Sequence, residues 1–256
     1  MHTFAIGDIH GRADLLSTLL EGIKARAAAD GIDFRVVFLG DIIDRGPASK
    51  EAMSLVAATL EGTPGSILIR GNHDWFPVRI LDELEGDRKV MALAHWVWNM
   101  GGDATLLSYG FDPATFTVSD LASRFPKKHL ELLREAKSYV ELPGHILVHA
   151  GIVPGVPLGL QSAYDLMWIK EPFLSYEELH DKVVVHGHTI TGSLDCEVRG
   201  NRISIDTGAY ESDRLSAAHL KPDGSVAFMQ SSLALGVVDV EARLIGISSR
   251  QPAISI

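Results

Sequence analysis

Short apolar runs that end abruptly in polar turns recur along this chain. Phe4-Ala5-Ile6 breaks into Gly7-Asp8-Ile9-His10-Gly11, and Val36-Val37-Phe38-Leu39 breaks at Gly40 into a turn carrying Asp41, Asp44 and Arg45. Ile67-Leu68-Ile69 leads into Arg70-Gly71-Asn72-His73-Asp74. Ile146-Leu147-Val148 leads into His149-Ala150-Gly151, and Val183-Val184-Val185 into His186-Gly187-His188. Apolar runs this short, bounded by glycine, predict buried strands. Between the first three the period changes. Leu15, Leu16, Leu19, Leu20 and Ile23 recur at helical spacing and predict a helix over 14–29. A second helix is predicted over 49–60, with Pro47 before it and Gly62 and Pro64 after it. Strand alternating with helix predicts βαβ units.

From Trp75 to about Tyr139 the pattern is mostly helical. It holds Trp96, Trp98, Phe111, Phe116 and Phe125 but no evident ligand. This predicts a helical lobe over 75–140, inserted within a single domain of 1–256 and walling the substrate cleft. The lobe aromatics are read as its own core, with Trp75 and Phe76 as the better candidates for lining the site. Beyond His188, short β-rich runs at 202–205, 215–220, 226–229 and 235–240 predict antiparallel strands that complete a second sheet.

Composition narrows the class. The chain is 46% hydrophobic and 22% charged, as globular domains are, and its formal charge is −10. A phosphate backbone needs a basic face, so nucleic acid is not the expected partner. Cys196 is the single cysteine, which excludes an internal disulfide and is compatible with a reducing compartment. It sits in a polar, turn-like stretch and is read as an incidental thiol. The start enters a strand almost at once, with no secretory pattern, and no window approaches a membrane span. The expected setting is therefore cytoplasmic, with no membrane contact.

The polar turns carry the chemistry. Carboxylate, imidazole and amide oxygen at the carboxyl ends of core strands lie where open α/β sheets place ligands. They are also the donors that Mn²⁺, Fe²⁺ and Zn²⁺ accept. Asp8, His10, Asp41, Asn72, His149 and His188 can together hold two divalent ions, with Asp41 shared. A pair of ions suits displacement at phosphorus.

The turns Gly-Asp-Ile-His-Gly, Gly-Asp-Ile-Ile-Asp-Arg-Gly and Gly-Asn-His-Asp, in this order, resemble the signature of metal-dependent phosphoprotein phosphatases, within the calcineurin-like metallophosphoesterase superfamily. His149-Ala150-Gly151 and Gly187-His188-Thr189 resemble its remaining ligand turns. The likeness runs over about residues 4–210 and is nearest to compact bacterial and bacteriophage members. It implies an α/β (α+β) fold, an αββα sandwich of two mixed sheets flanked by helices. Asp8 and His10 would hold one ion and Asn72, His149 and His188 the other, bridged by Asp41, with Mn²⁺ the expected metal and Fe²⁺ or Zn²⁺ the alternatives. A hydroxide between the ions would attack phosphorus. Two dications, two carboxylates and one hydroxide leave about +1, which favours a phosphate dianion. His73 resembles the acid that protonates the leaving oxygen, with Asp44 orienting it. Arg45 resembles the clamp on phosphate oxygens; Asn72 and Lys170 are further candidate substrate contacts.

Two positions depart from the pattern. Asp74 stands where the protein phosphatases commonly have Glu, as in the diadenosine tetraphosphate hydrolases of the same superfamily. Lys170, in Trp168-Ile169-Lys170-Glu171, stands where phage-type enzymes have a second arginine clamp, and lysine lacks the planar fork. The expected activity is hydrolysis of phosphoserine and phosphothreonine in proteins. The alternatives are hydrolysis of diadenosine tetraphosphate or another small phosphate ester, and a catalytically silent binding module. His186 is read as a strand-end residue, and Asp206 either orients a ligand histidine or closes a turn.

Overall fold

Alternation along the strands sets up the layers. In β1 (His2–Ile6), Phe4 and Ile6 face one way and Ala5 the other; in β2 (Phe34–Phe38), Val36 and Phe38 are opposed to Val37. Side chains alternate faces along a strand, so each strand feeds two separate cores. The computed structural model describes residues 1–246. Residues 247–256 of the predicted 1–256 domain lie outside the described residues.

The remaining strands are β3 (Ile67–Leu68), β4 (Tyr139–Glu141), β5 (His145–Val148), β6 (Val183–His186), β7 (Glu197–Val198), β8 (Arg202–Ser204), β9 (Arg214–Leu220), β10 (Val226–Ser232), β11 (Gly236–Val240) and β12 (Arg243–Leu244). They form two mixed sheets, ordered β11-β10-β9-β1-β2-β3 and β12-β7-β8-β6-β5-β4. Ala5, Val37 and Leu39 meet Leu147, Val185 and Ile203 in the core between the sheets. On the outer face of the first sheet, Phe4, Ile6 and Phe38 pack against α1 (Ala13–Asp30) and α2 (Ser49–Gly62) through Leu16, Leu19, Met53 and Val56. On the outer face of the second, Val148 and Val184 pack with Leu166, Ile169 and Phe173. Burying one such side chain contributes about 1.5–3 kcal/mol. The layers are those of the predicted sandwich.

Both predicted helices form, over Ala13–Asp30 and Ser49–Gly62. The stretch after the third strand holds α3 (Asn72–Val78), α4 (Asp87–Asn99), α5 (Gly102–Ser108), α6 (Val118–Ser123) and α7 (Lys127–Glu135). Later come α8 (Ala163–Trp168) and α9 (Ala209–Ser212). No helix among the described residues is long and apolar enough to cross a membrane.

Two expectations need correction, and a third gains a detail. The strands after residue 214 do not complete the second sheet. β9 pairs antiparallel with β1, Phe4 opposite His219, and β10 and β11 extend the first sheet from there. The third strand is shorter than the 66–70 its apolar run predicts, because beyond the Ile69 N–H bond to Phe38 O the chain leaves β2: Ile69 forms an isolated bridge to Lys137, and Arg70 gives its N–H to the Lys137 carbonyl. Cys196 follows the predicted polar turn, at 192–195, but its side chain is buried among Val198, Ile203 and Ala218 between the sheets. Burial pushes its thiol pKa up to about 12, so it behaves as a core apolar group.

Candidate metal centre

The turn after β2 lies at the centre of the site. Asp41 takes a left-handed backbone at φ 51° and is buried. Its Oδ1 accepts the His73 N–H at 2.9 Å. Its Oδ2 lies 3.6 Å from His10 Nε2, 3.5 Å from His149 Nε2 and 4.0 Å from His73 Nε2. Gly71 passes so close that a Cβ there would overlap the Asp41 carboxylate, which is why a glycine precedes Asn72. Asp74 staples the two turns: its carboxylate accepts Ile42 N–H at 2.9 Å and Gly71 N–H at 3.2 Å. The Gly-Asn-His-Asp turn is thus the first turn of α3, with Asp74 holding its start.

The other predicted ligands converge from both sheets. Asn72 Oδ1 lies 2.9 Å from His149 Nε2 and 2.9 Å from His188 Nδ1. His149 follows β5 and His188 follows β6, whereas Asp8, Asp41 and Asn72 follow strands of the first sheet. The ring atoms of His10 and His73 with Asp41, and of His149 and His188 with Asp41, each form a set within 4.8 Å. Asp8 is in neither set; its carboxylate accepts the His188 N–H at 3.0 Å. His73, predicted as an acid and not as a ligand, is in the first.

These residues fit a pair of cations. His10 and His149 each give the Nδ1 proton to a backbone carbonyl, Ile43 at 3.0 Å and Leu39 at 2.9 Å. That tautomer leaves only a lone pair on each Nε2, and both lone pairs face Asp41. His188 Nε2 is buried with no hydrogen-bond partner among the described residues. Acceptors turned on one another in a buried place require a proton or a metal ion between them. Burial opposes a charged His149, but Asp41 and Asp8 outweigh it and raise its pKa to about 10. Burial and then His73 push His10 the other way. Burial tends to raise Asp41, but His149, His73 and His10 hold it well below the usual carboxylate range. Asp8 is raised by burial and by Asp206.

Beside this cluster, His73 Nδ1 meets Asp44 Oδ2 at 2.8 Å, and Arg45 Nη2 donates to His73 Nε2 at 3.0 Å. Burial lowers the His73 pKa, but Asp41 and Asp44 reverse this and raise it. The Arg45 guanidinium lies over Tyr210, 4.8 Å from the ring centre, and the same ring stands edge-on to His10 at 5.4 Å. Lys170 is exposed beyond α8. Burial, then His149 and more distantly Lys170, press His188 down to about 3.

Several neighbours were not legible in the sequence. Tyr210 had no motif. Trp96, read as core of the helical stretch, also donates its indole N–H to Asp44. Thr105 bonds the same carboxylate at 2.7 Å. The usable signal was Gly101-Gly102, a pair that marks a turn. Trp75 and Phe76 were the expected lining residues. Trp75 instead bonds Glu83 and carries Arg79 over its ring, and Phe76 is buried against Trp168, which itself stands 6.2 Å from His188. His186 is a buried strand end bonded to Ser204, and Asp206 closes a turn on Gly208 N–H.

Comparison with known proteins gives a consistent result. A family model for calcineurin-like phosphoesterases matches residues 1–203. The chain is 31% identical over 154 residues to a symmetrical bis(5'-nucleosyl)-tetraphosphatase of Dechloromonas aromatica (strain RCB), covering 60% of this chain and 45% of that protein. It is 30% identical over 155 residues to a protein of the same name from Janthinobacterium sp. (strain Marseille), covering 60% and 45%. The matched region thus spans about half the length of these relatives. Among solved structures, one provisionally described as a diadenosine tetraphosphatase superposes with a TM-score of 0.61 at 18% identity, over 90% of this chain and 93% of that one. A cold-active protein-tyrosine phosphatase of a psychrophilic Shewanella superposes at 0.56 and 16% identity, over 94% and 80%. These structural likenesses speak for the fold alone.

Proposed function

The chain belongs to the calcineurin-like phosphoesterase family, and from that premise we propose that it hydrolyses dinucleoside tetraphosphates through a pair of divalent ions. Phosphoesterases of this family use binuclear divalent metals. Asp41 would be the shared ligand, with Asp8 and His10 holding one ion and Asn72, His149 and His188 the other. Mn²⁺ suits this donor set, as do Fe²⁺ and Zn²⁺. When bound, such ions supply Lewis-acid polarisation of phosphoryl oxygens and acidify water to near neutral pKa.

The protein's own groups do the rest. Arg45 offers a planar fork to phosphoryl oxygens. In this structure it donates to His73 Nε2 instead. A phosphate drawing Arg45 away leaves that nitrogen free to carry a proton to the leaving oxygen. Asp44 keeps the Nδ1 proton on the other side of the ring. Asn72 and Lys170 are further contacts for the phosphate chain. We read residues 75–140 as a lobe inserted within one domain.

The observation that carries the substrate class is the 31% identity to a bis(5'-nucleosyl)-tetraphosphatase. A second reading, phosphoserine and phosphothreonine hydrolysis, is favoured by the Asp44–His73 pair at 2.8 Å. An alkoxide is a far poorer leaving group than a nucleoside diphosphate, and it needs the acid more. Steady-state kinetics of the Mn²⁺-loaded protein on diadenosine tetraphosphate and on a phosphothreonine peptide separate the two. The expected result is a kcat/KM that favours the dinucleotide. A preference for the peptide by about a hundredfold, some 2.7 kcal/mol of transition-state stabilisation, would reverse it.

A further inference from the structure

Asp44 is fully buried and held at φ 76°, in the left-handed region. Its carboxylate receives donors from three different helices. His73 of α3 bonds Oδ2 at 2.8 Å. Trp96, in the last turn of α4, gives its indole N–H to Oδ2 at 2.9 Å and Oδ1 at 3.0 Å. Thr105, in α5, bonds Oδ1 at 2.7 Å. The Asp44 N–H in turn donates to Thr105 Oγ1 at 2.8 Å and to Ser49 Oγ at 3.2 Å. Trp96, Thr105 and Ser49 are all fully buried. The junction between α4 and α5 also reaches the next residue, where Arg45 N–H donates to Gly101 O at 3.0 Å.

A carboxylate bonded to one imidazole alone keeps its freedom to rotate about its last bond. With Trp96 bonded to both oxygens and Thr105 to Oδ1, that freedom is gone. We propose that Trp96 and Thr105 are positioning residues of the reaction: they fix the Asp44 carboxylate so that His73 is held with Nε2 toward the leaving oxygen. This inference rests on the reading of His73 as the general acid. It assigns a part in the chemistry to a helical stretch that contributes no metal ligand. The indole and the hydroxyl do what a buried polar group must, which is find a partner. The partner they share is a carboxylate that already serves the imidazole.

The test is the dependence of rate on the leaving group. Phenyl phosphate releases a phenol with a pKa of about 10 and needs protonation. p-Nitrophenyl phosphate releases a much more acidic phenol and needs it less. Trp96→Phe, Thr105→Val, Thr105→Ser and His73→Gln would be assayed on both, Mn²⁺-loaded. The expected result is a loss of kcat on phenyl phosphate about tenfold greater than on p-nitrophenyl phosphate for Trp96→Phe and Thr105→Val. KM should change little, His73→Gln should show the same bias, and Thr105→Ser should restore the rate. A loosened fold or a weakened metal site slows both substrates alike. Equal slowing in the Trp96 and Thr105 variants, with the bias intact in His73→Gln, would overturn the positioning role alone. No bias in His73→Gln would remove the acid role of His73 and the positioning role with it. Should Trp96→Phe fail to fold, the near-isosteric Thr105→Val and its Thr105→Ser rescue carry the same comparison.

Discussion

His10 and His149 have committed their Nδ1 protons to Ile43 and Leu39 carbonyls, so each can present only a lone pair, or a newly acquired proton, to Asp41. Without metal the proton goes to His149, whose pKa stands at about 10. A metal must displace it, because a ligating imidazole is neutral. Calorimetry of Mn²⁺ binding at pH 7 in buffers of different ionisation enthalpy should therefore show net proton release. Enthalpies independent of buffer would contradict this protonation state. The same shift has a consequence for stability. A histidine raised above its ordinary pKa of about 6.5 stabilises the fold fully below that pH, and the contribution fades as pH rises through the folded value. The metal-free protein should lose thermal stability between pH 7 and 10, and bound metal should blunt that loss. A flat melting profile over that range in the stripped protein would count against it.

At the scale of elements, the α4–α5 junction is held to the central turn by close backbone approach. Gly101 has φ 82°, and a Cβ there would stand 2.9 Å from Arg45 N. Gly110 has nearly the same φ, 79°, with open space around it. Gly101→Ala and Gly110→Ala thus share a backbone strain of about 1–2 kcal/mol, and only the first disturbs Arg45. Gly101→Ala should melt lower than Gly110→Ala and lose activity, while Gly110→Ala keeps it. Equal melting points and equal activity would show that the junction tolerates the displacement. This packing was not legible in the sequence, because Trp96 and Thr105 meet Asp44 across more than fifty residues and neither carries a motif. What was legible was local. An apolar run of three or four residues that ends in a polar turn places both a strand and the donors beyond it, so Asp41, Asn72, His149 and His188 could be placed together from their turns. Strand partners are a different matter. β9 has the alternation of any antiparallel strand, and nothing local to residues 214–220 says that its neighbour is β1 and not a strand of the second sheet. Cys196 likewise looked polar by its neighbours, although its own side chain faces the core between the sheets.

Across the whole molecule, the site joins two halves. The first sheet delivers Asp8, Asp41 and Asn72, and the second delivers His149 and His188. Asp8, Asp41, Asp44, Asp74 and Asp206 are all buried there, in a chain whose formal charge is already −10. Burial raises Asp74 and Asp206 to about 6, so their ionised forms weigh against folding unless positive charge is near. Divalent ions held between the sheets would answer that charge and tie the layers together. A ligand at about a hundred times its Kd adds about 2.7 kcal/mol. For a chain of this size each kcal/mol moves Tm by roughly 2–4 °C. Chelation should accordingly lower Tm by about 5–10 °C, and Mn²⁺ should restore it; a Tm indifferent to both would mean that the sheets do not share a metal. The most direct measurement is anomalous diffraction from crystals grown with Mn²⁺. Two peaks flanking Asp41, about 3.5–4 Å apart, are expected, and both should be lost in Asp41→Asn. A single peak, or two that do not share Asp41, would contradict a shared metal centre.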